Sequence, residues 1–158
     1  MKKHWQRWIV ASVSKHFYDL LNADDFPFFI EGQWRDTRSE DEFFELRVDG
    51  PGIAEISNNY FRLYNEINIL VQVAQSATDN HRIYRRIGEV HVAFTNIIVK
   101  KYGGGIDDDE SVLGCMNLIV HAQGDKENIN TAHFGKVNKS LPILQATVEG
   151  HYEMFLKS

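Results

Sequence analysis

Seven histidines, a triple glycine, a run of four acids and a single cysteine are the residues of this chain whose types invite chemistry. The histidines are His4, His16, His81, His91, His121, His133 and His151. None forms the His-Glu-x-x-His pair that places two imidazoles on one helix face around zinc, and none stands at ligand spacing from Cys115. A lone cysteine excludes an intrachain disulfide and a Cys-rich zinc site. Cys115 follows Gly114 inside an apolar run, where it is expected to pack as a small hydrophobe rather than act as a nucleophile. No Gly-x-Ser-x-Gly elbow is present, and Ser57 beside Asn58-Asn59 reads as turn chemistry.

Gly103-Gly104-Gly105 follows Lys100-Lys101-Tyr102. A phosphate loop sits after a strand and before a helix, with Lys-Ser or Lys-Thr behind its glycines. Here the glycines follow a periodic helical run and read as its stop. Asp107, Asp108, Asp109 and Glu110 lack the alternating ligands and central Gly of a calcium loop, so they read as a solvated, mutually repelling loop. No catalytic residue, cofactor site or metal site is expected, and the chain is read as non-enzymatic.

The elements that would position these groups are legible from periodicity. Trp5, Ile9, Val13, Phe17 and Leu20 or Leu21 recur at helical steps from about His4 to Leu21, with Trp8 widening the stripe. Phe26 to Ile30 reads as a short edge run behind Pro27, and 32–42 as a loop. Phe44, Leu46 and Val48 alternate with charged residues, and Asp49-Gly50-Pro51-Gly52 is expected to end that strand. Phe61, Leu63, Ile67, Ile69, Val71 and Val73 make the clearest strand, Tyr60 to Val73, with Asn65 the polar intruder on its apolar face. Thr78 and Asp79 are candidate caps for a second long helix, Asn80 to Lys101, built on Ile83, Ile87, Val90, Phe94 and Ile97 or Ile98. Val112 to Val120 reads as a strand. Gly124-Asp125 could turn it back through Ile129 to Val137, and Leu144 to Leu156 alternates cleanly again.

This order predicts a single α+β domain over 1–158, with a mostly antiparallel β-sheet on which the N-terminal helix and the second long helix pack. The chain carries 17 Lys and Arg against 22 Asp and Glu, a net charge of −5. That balance argues against a dedicated nucleic-acid binder. No run approaches the roughly 18 apolar residues of a membrane span, and the N-terminal stretch lacks the apolar core of an export signal. Phe43, Tyr64, Ile143 and Phe155 fall on strand faces that should be wet, which marks them as candidate subunit-interface residues. Arg82 and Arg86, one helical turn apart, are candidate interface cations.

In layout and size the chain resembles the tail terminator and neck (head-to-tail joining) proteins of long-tailed bacteriophages. The resemblance also rests on Arg47-Val48-Asp49-Gly50-Pro51, the stretch Tyr64 to Val71, and Ala146-Thr147-Val148-Glu149-Gly150-His151-Tyr152. It implies a structural virion protein, made in the host cytoplasm, that forms a six-fold homo-oligomeric ring. The ring would end the tail tube, contact the tail tube protein and dock to the head connector or adaptor protein, with DNA only as a passenger. Asp107, Asp108, Asp109 and Glu110 would then form a lumen or partner loop whose charge repels phosphate. A connector adaptor or tail completion protein is the nearest alternative. From another class, a small α+β pocket protein, an isomerase-like enzyme or ligand carrier, would use His121, His151 and an acid.

Overall fold

The computed structural model describes residues 2–32, 41–74, 81–102, 109–119, 129–136 and 143–158. Helix α1 (Lys2–Leu21) is followed by strands β1 (Phe28–Ile30), β2 (Phe43–Ser57) and β3 (Tyr60–Ala74). Helix α2 (Arg82–Ala93), then β4 (Ile97–Lys100), β5 (Val112–Leu118), β6 (Ile129–Lys136) and β7 (Ile143–Lys157) complete the chain. The strands form one curled sheet in the order β1-β2-β3-β7-β5-β4, with β6 also paired to β7. All pairings are antiparallel except β1 with β2. The α+β class with its mostly antiparallel sheet therefore holds, and β3 lies at the centre of the sheet as expected.

One face of the sheet is apolar because the strands alternate. Phe61, Leu63, Ile67, Ile69, Val71 and Val73 of β3 are buried with Ala146, Val148, Tyr152, Met154 and Leu156 of β7. Helix α1 lays Trp5, Trp8, Ile9, Val13, Phe17 and Leu21 into the same core, while Leu20 faces solvent. Ser12 is buried yet satisfied, because its hydroxyl accepts from the Lys100 amide at 2.9 Å. His16 Nε2 lies 3.0 Å from the Ala93 carbonyl, which ties α1 to the end of α2. Asn65 is fully buried in this apolar layer with neither amide atom hydrogen-bonded.

Three expectations about the elements need correction. The second helix is short. It ends at Ala93, and Ile97 to Lys100 are strand β4, with Ile97 and Val99 buried and Ile98 and Lys100 exposed. The apolar positions of this stretch fit both periods, and the β-branched Thr95, Ile97, Ile98 and Val99 favour the extended form. Lys100 and Lys101 accordingly leave the helix. Secondly, Asp49-Gly50-Pro51-Gly52 does not end β2. The ladder slips between Asp49↔Glu66 and Gly52↔Tyr64 and then continues to Ser57. One extra residue on β2 is a β-bulge, and Gly50 allows it at φ 110°, where a Cβ would meet the Tyr64 carbonyl oxygen at 2.8 Å. Thirdly, β6 does not return along β5. It pairs with the first half of β7, while β5 meets β7 at Asn117↔Glu153 and Leu118↔Tyr152. The expected caps Thr78 and Asp79, the glycines Gly103 to Gly105 and the turn Gly124-Asp125 lie outside the described residues.

Tyr152 links the core to a testable pH response. It is fully buried and its hydroxyl donates to the Thr95 carbonyl at 2.9 Å. Burial pushes its phenol well above the usual range. A tyrosine in the unfolded chain ionises near pH 10, so its contribution is fully present below that pH. Above it the folded state keeps a proton the unfolded state has lost, and stability falls by about 1.4 kcal/mol per pH unit. Tyr152→Phe is expected to cost about 1 kcal/mol at neutral pH through the lost hydrogen bond, and to flatten the alkaline decline. Urea unfolding followed from about pH 8 to about pH 11 reads both effects; an unchanged alkaline slope would assign the response to other tyrosines.

Candidate functional site: the polar face of the sheet

Among the described residues the second face of the sheet carries no helix, and cross-strand register fixes what stands on it. Asp49 of β2, Glu66 of β3 and His151 of β7 form one row across the strands. Arg47, Asn68 and Glu149 form the next. Tyr64 and Glu153 pair on the other side of Glu66 and His151. Directly opposed residues on one sheet face have Cβ atoms about 4.5–5.5 Å apart, so these groups meet without any loop to place them.

Glu66, Glu149 and His151 converge most closely: one ligand atom from each lies within 4.8 Å of the other two. All three are half-buried. His151 Nε2 stands 2.5 Å from Glu149 Oε1, and its Nδ1 is hydrogen-bonded to the Tyr64 hydroxyl. A carboxylate has no proton to give, so Nε2–H donates to Glu149, and Nδ1 shares a second hydrogen bond with the Tyr64 hydroxyl. The Tyr64 ring also stacks on the imidazole at 5.8 Å. Desolvation raises the Tyr64 phenol above its ordinary value, helped by Glu66 and Glu149. Asn68 Nδ2 donates to Glu66 Oε1 at 2.9 Å. Beside them an open groove of about 390 Å³ runs over Glu31, Glu45, Arg47, Asp49, Glu66 and Thr147.

The cations of this face pair with its other carboxylates. Arg47 faces Asp49 at 3.1 Å and Glu31 at 3.5 Å, and Arg62 holds Glu153 at 2.7 Å. Among the described residues neither Glu66 nor Glu149 has a Lys or Arg partner. The neighbourhood is therefore anionic.

The residues marked in the sequence are distributed differently from the expectation. Phe43 is buried and stacks on Phe29 at 5.4 Å, so the chain itself covers it. Tyr64 and Phe155 are exposed, and Phe155 stacks on Tyr60 at 6.1 Å; Ile143 is half-buried. Arg82 is paired with Glu42. Arg86 lies over the Phe26 ring at 4.2 Å and contacts Glu89 at 3.0 Å and Asp25 at 3.5 Å, all within one subunit. Asp107, Asp108 and His121 lie outside the described residues. Asp109 accepts from the Ser111 amide and hydroxyl, which lowers its carboxyl pKa, and the Glu110 amide donates to the Lys101 carbonyl at 3.1 Å. Cys115 is exposed, opposite Ile98, and Met116 takes the core position. The neighbouring β5 residue on the buried face is thus one step later than the sequence reading assumed.

Sequence reasoning passed over Glu66, Glu149 and Tyr64 as a group with His151. Glu149-x-His151 was visible as two same-face residues of one strand. Glu66 joins them only through the β3–β7 register. A hairpin of apolar residues was missed as well: Ile53 and Ile56 of β2 are exposed, with Tyr60 at the start of β3. Ile53 faces the same side of the sheet as Leu63, whereas Tyr60 lies with Arg62 and Phe155 on the polar side. Among the described residues no helix is long and apolar enough to cross a membrane. No protein-family model and no curated protein matches the chain.

Proposed function

We propose that this chain is a structural virion protein of a long-tailed bacteriophage neck, assembling as a homo-oligomeric ring that ends the tail tube and docks it to the head connector. The observation that supports this reading most is the apolar end of the sheet. Ile53, Ile56, Tyr60 and Phe155 are 48%, 54%, 40% and 41% exposed. Such side chains gathered at one end of a fold mark a contact surface, and aromatic residues are enriched in interface cores. Among the described residues the outer edge of β2 is paired with β1 only at Phe44 to Leu46, and the backbone beyond that stretch is the place for strand addition. A head-to-tail contact of this kind closes into a ring when its rotation permits. The anionic polar face and the net charge of −5 suit a ring through which DNA passes without sticking. A connector adaptor or tail completion protein of the same neck would use the same surface.

The rival class, a pocket protein with acid-base chemistry, draws on the Glu149–His151–Tyr64 hydrogen-bond chain. The groove beside it is open and largely charged, whereas small-molecule sites are concave and mostly apolar. Size exclusion with light scattering separates the two. The purified protein at about 100 μM, where even contacts of about 10 μM Kd saturate, is expected to run as a discrete multimer, and the double variant Ile53→Asp/Phe155→Asp as a monomer. A monomeric wild-type chain at that concentration would overturn the ring and favour the pocket reading.

A further inference from the structure

We infer that Glu66, Glu149 and His151 form a binding site for a divalent transition-metal ion of the zinc class. The donor set is one imidazole nitrogen and two carboxylates, a mixed set that borderline ions such as Zn²⁺ accept and that calcium and magnesium, which take oxygen, do not select. The three donor atoms lie within 4.8 Å of one another: Glu66 of β3 faces His151 of β7, and Glu149 stands next to it on the same face of β7. Donors around a tetrahedral zinc, each about 2.0–2.2 Å from the ion, sit roughly 3.4 Å apart. From the present separations the donors need to close by at most about 1.4 Å to reach that spacing.

The surroundings fit this role. Two adjacent carboxylates without a Lys or Arg partner among the described residues repel each other, and a divalent cation relieves that repulsion. Tyr64 supplies the outer partner that a metal-bound histidine needs. In the unligated site Nε2–H donates to Glu149. In the bound state the ring gives its Nε2 lone pair to the ion and donates Nδ1–H to the Tyr64 oxygen. Asn68 holds Glu66 from the side at 2.9 Å. Three protein ligands on a half-exposed surface leave a fourth position open to water or to a group from a partner. The Glu66↔His151 pair stands two rows along the ladder from Arg62↔Phe155 and all three donors come from one chain, so the site does not depend on ring formation.

The test is a titration of chelator-stripped protein with ZnCl₂ by calorimetry, repeated with Co²⁺, whose visible absorption reports tetrahedral coordination. One equivalent is expected to bind with a Kd of about 1–50 μM, roughly −6 to −8 kcal/mol. Glu66→Gln and His151→Gln are each expected to weaken binding at least about tenfold, and Tyr64→Phe by about tenfold through loss of the outer partner. His81→Gln, on an exposed histidine of another element, should leave it unchanged. Amide and imidazole NMR shifts of the wild-type chain during the titration locate the ion without any variant, and are expected to centre on residues 64–66 and 149–151. No saturable binding below about 1 mM, the loosest range a specific site occupies, would overturn the proposal. Shifts centred on other histidines, or tight binding that survives both ligand substitutions, would do the same.

Discussion

Gly150→Ala is expected to lower the stability of the chain by about 3 kcal/mol or more, at the upper end of overpacking costs. Gly150 sits on the core face of β7, directly opposite Ile67 of β3 and Ile129 of β6. A Cβ there would stand 2.4 Å from Cε1 and 2.5 Å from Cδ1 of Phe94. The ring has little room to yield. Phe94 is buried at the end of α2 between Phe17, 5.1 Å away and edge-on, and Tyr152, stacked at 6.2 Å. Gly114 makes a useful contrast, because its Cβ would meet the flexible Met154 Cε at 2.7 Å and only the end of a long side chain must move. Urea unfolding should therefore show a large loss for Gly150→Ala and a smaller one for Gly114→Ala. Pairing Gly150→Ala with Phe94→Leu should recover part of the loss, with an interaction energy above about 1 kcal/mol. Equal losses at the two glycines, or additive behaviour with Phe94→Leu, would mean that the ring is not what excludes a side chain at this position.

The close approach of Phe94 to Gly150 also explains why the second helix was misjudged in length. The sequence places Phe94 on the stripe of Ile83, Ile87 and Val90, and the structure does bury it with them. But Phe94 is the C-cap, with ψ 85°, and the chain turns there into β4. What stops the helix is tertiary: Tyr152 donates to the Thr95 carbonyl and Asn96 accepts from the Leu118 amide. Neither partner is near in sequence, and the apolar spacing from Phe94 to Val99 suits a helix and a strand alike. By contrast α1, β3 and β7 were legible because each buries one face along its whole length, so a single period runs unbroken. Cys115 shows the opposite case. With apolar residues on both sides of β5, alternation could not say which face was inward.

The polar face followed the same logic. Its residues were readable as the wet side of β3 and β7, yet their assembly depends on register between strands far apart in the chain. The bulge at Gly50 sets which β2 residues face Glu66 and Asn68, and the run from Tyr60↔Lys157 to Ala74↔Ile143 sets Glu66 against His151. A one-residue slip would carry every one of these groups to the other face. Function is harder to read than fold here for a related reason. An interface and a metal site both use exposed residues, and exposure is where sequence patterning is least constrained.

Ile67→Ala should be the second large loss, about 2–5 kcal/mol. Ile67 is fully buried at the centre of β3, between Val48 of β2 and Gly150 of β7. Truncation removes its buried methyl groups and leaves a cavity that two full-length ladders hold open, since neither strand can shift without breaking its register. The neighbouring glycine has no side chain to fill the gap, which places the expected cost in the upper half of that range. Ile53→Ala tests the same chemistry where burial is absent: Ile53 is in phase with Leu63 on the core face of β2 but is 48% exposed, and its truncation should cost within about 0.5 kcal/mol in the isolated subunit. In an assembled ring that small value should grow, because the same side chain would then be covered by a neighbour. Urea unfolding of both variants at low concentration, repeated at the concentration where the wild type multimerises, gives the comparison. A loss below about 1 kcal/mol for Ile67→Ala would contradict the β3 register, and a concentration-independent value for Ile53→Ala would remove the hairpin from the interface.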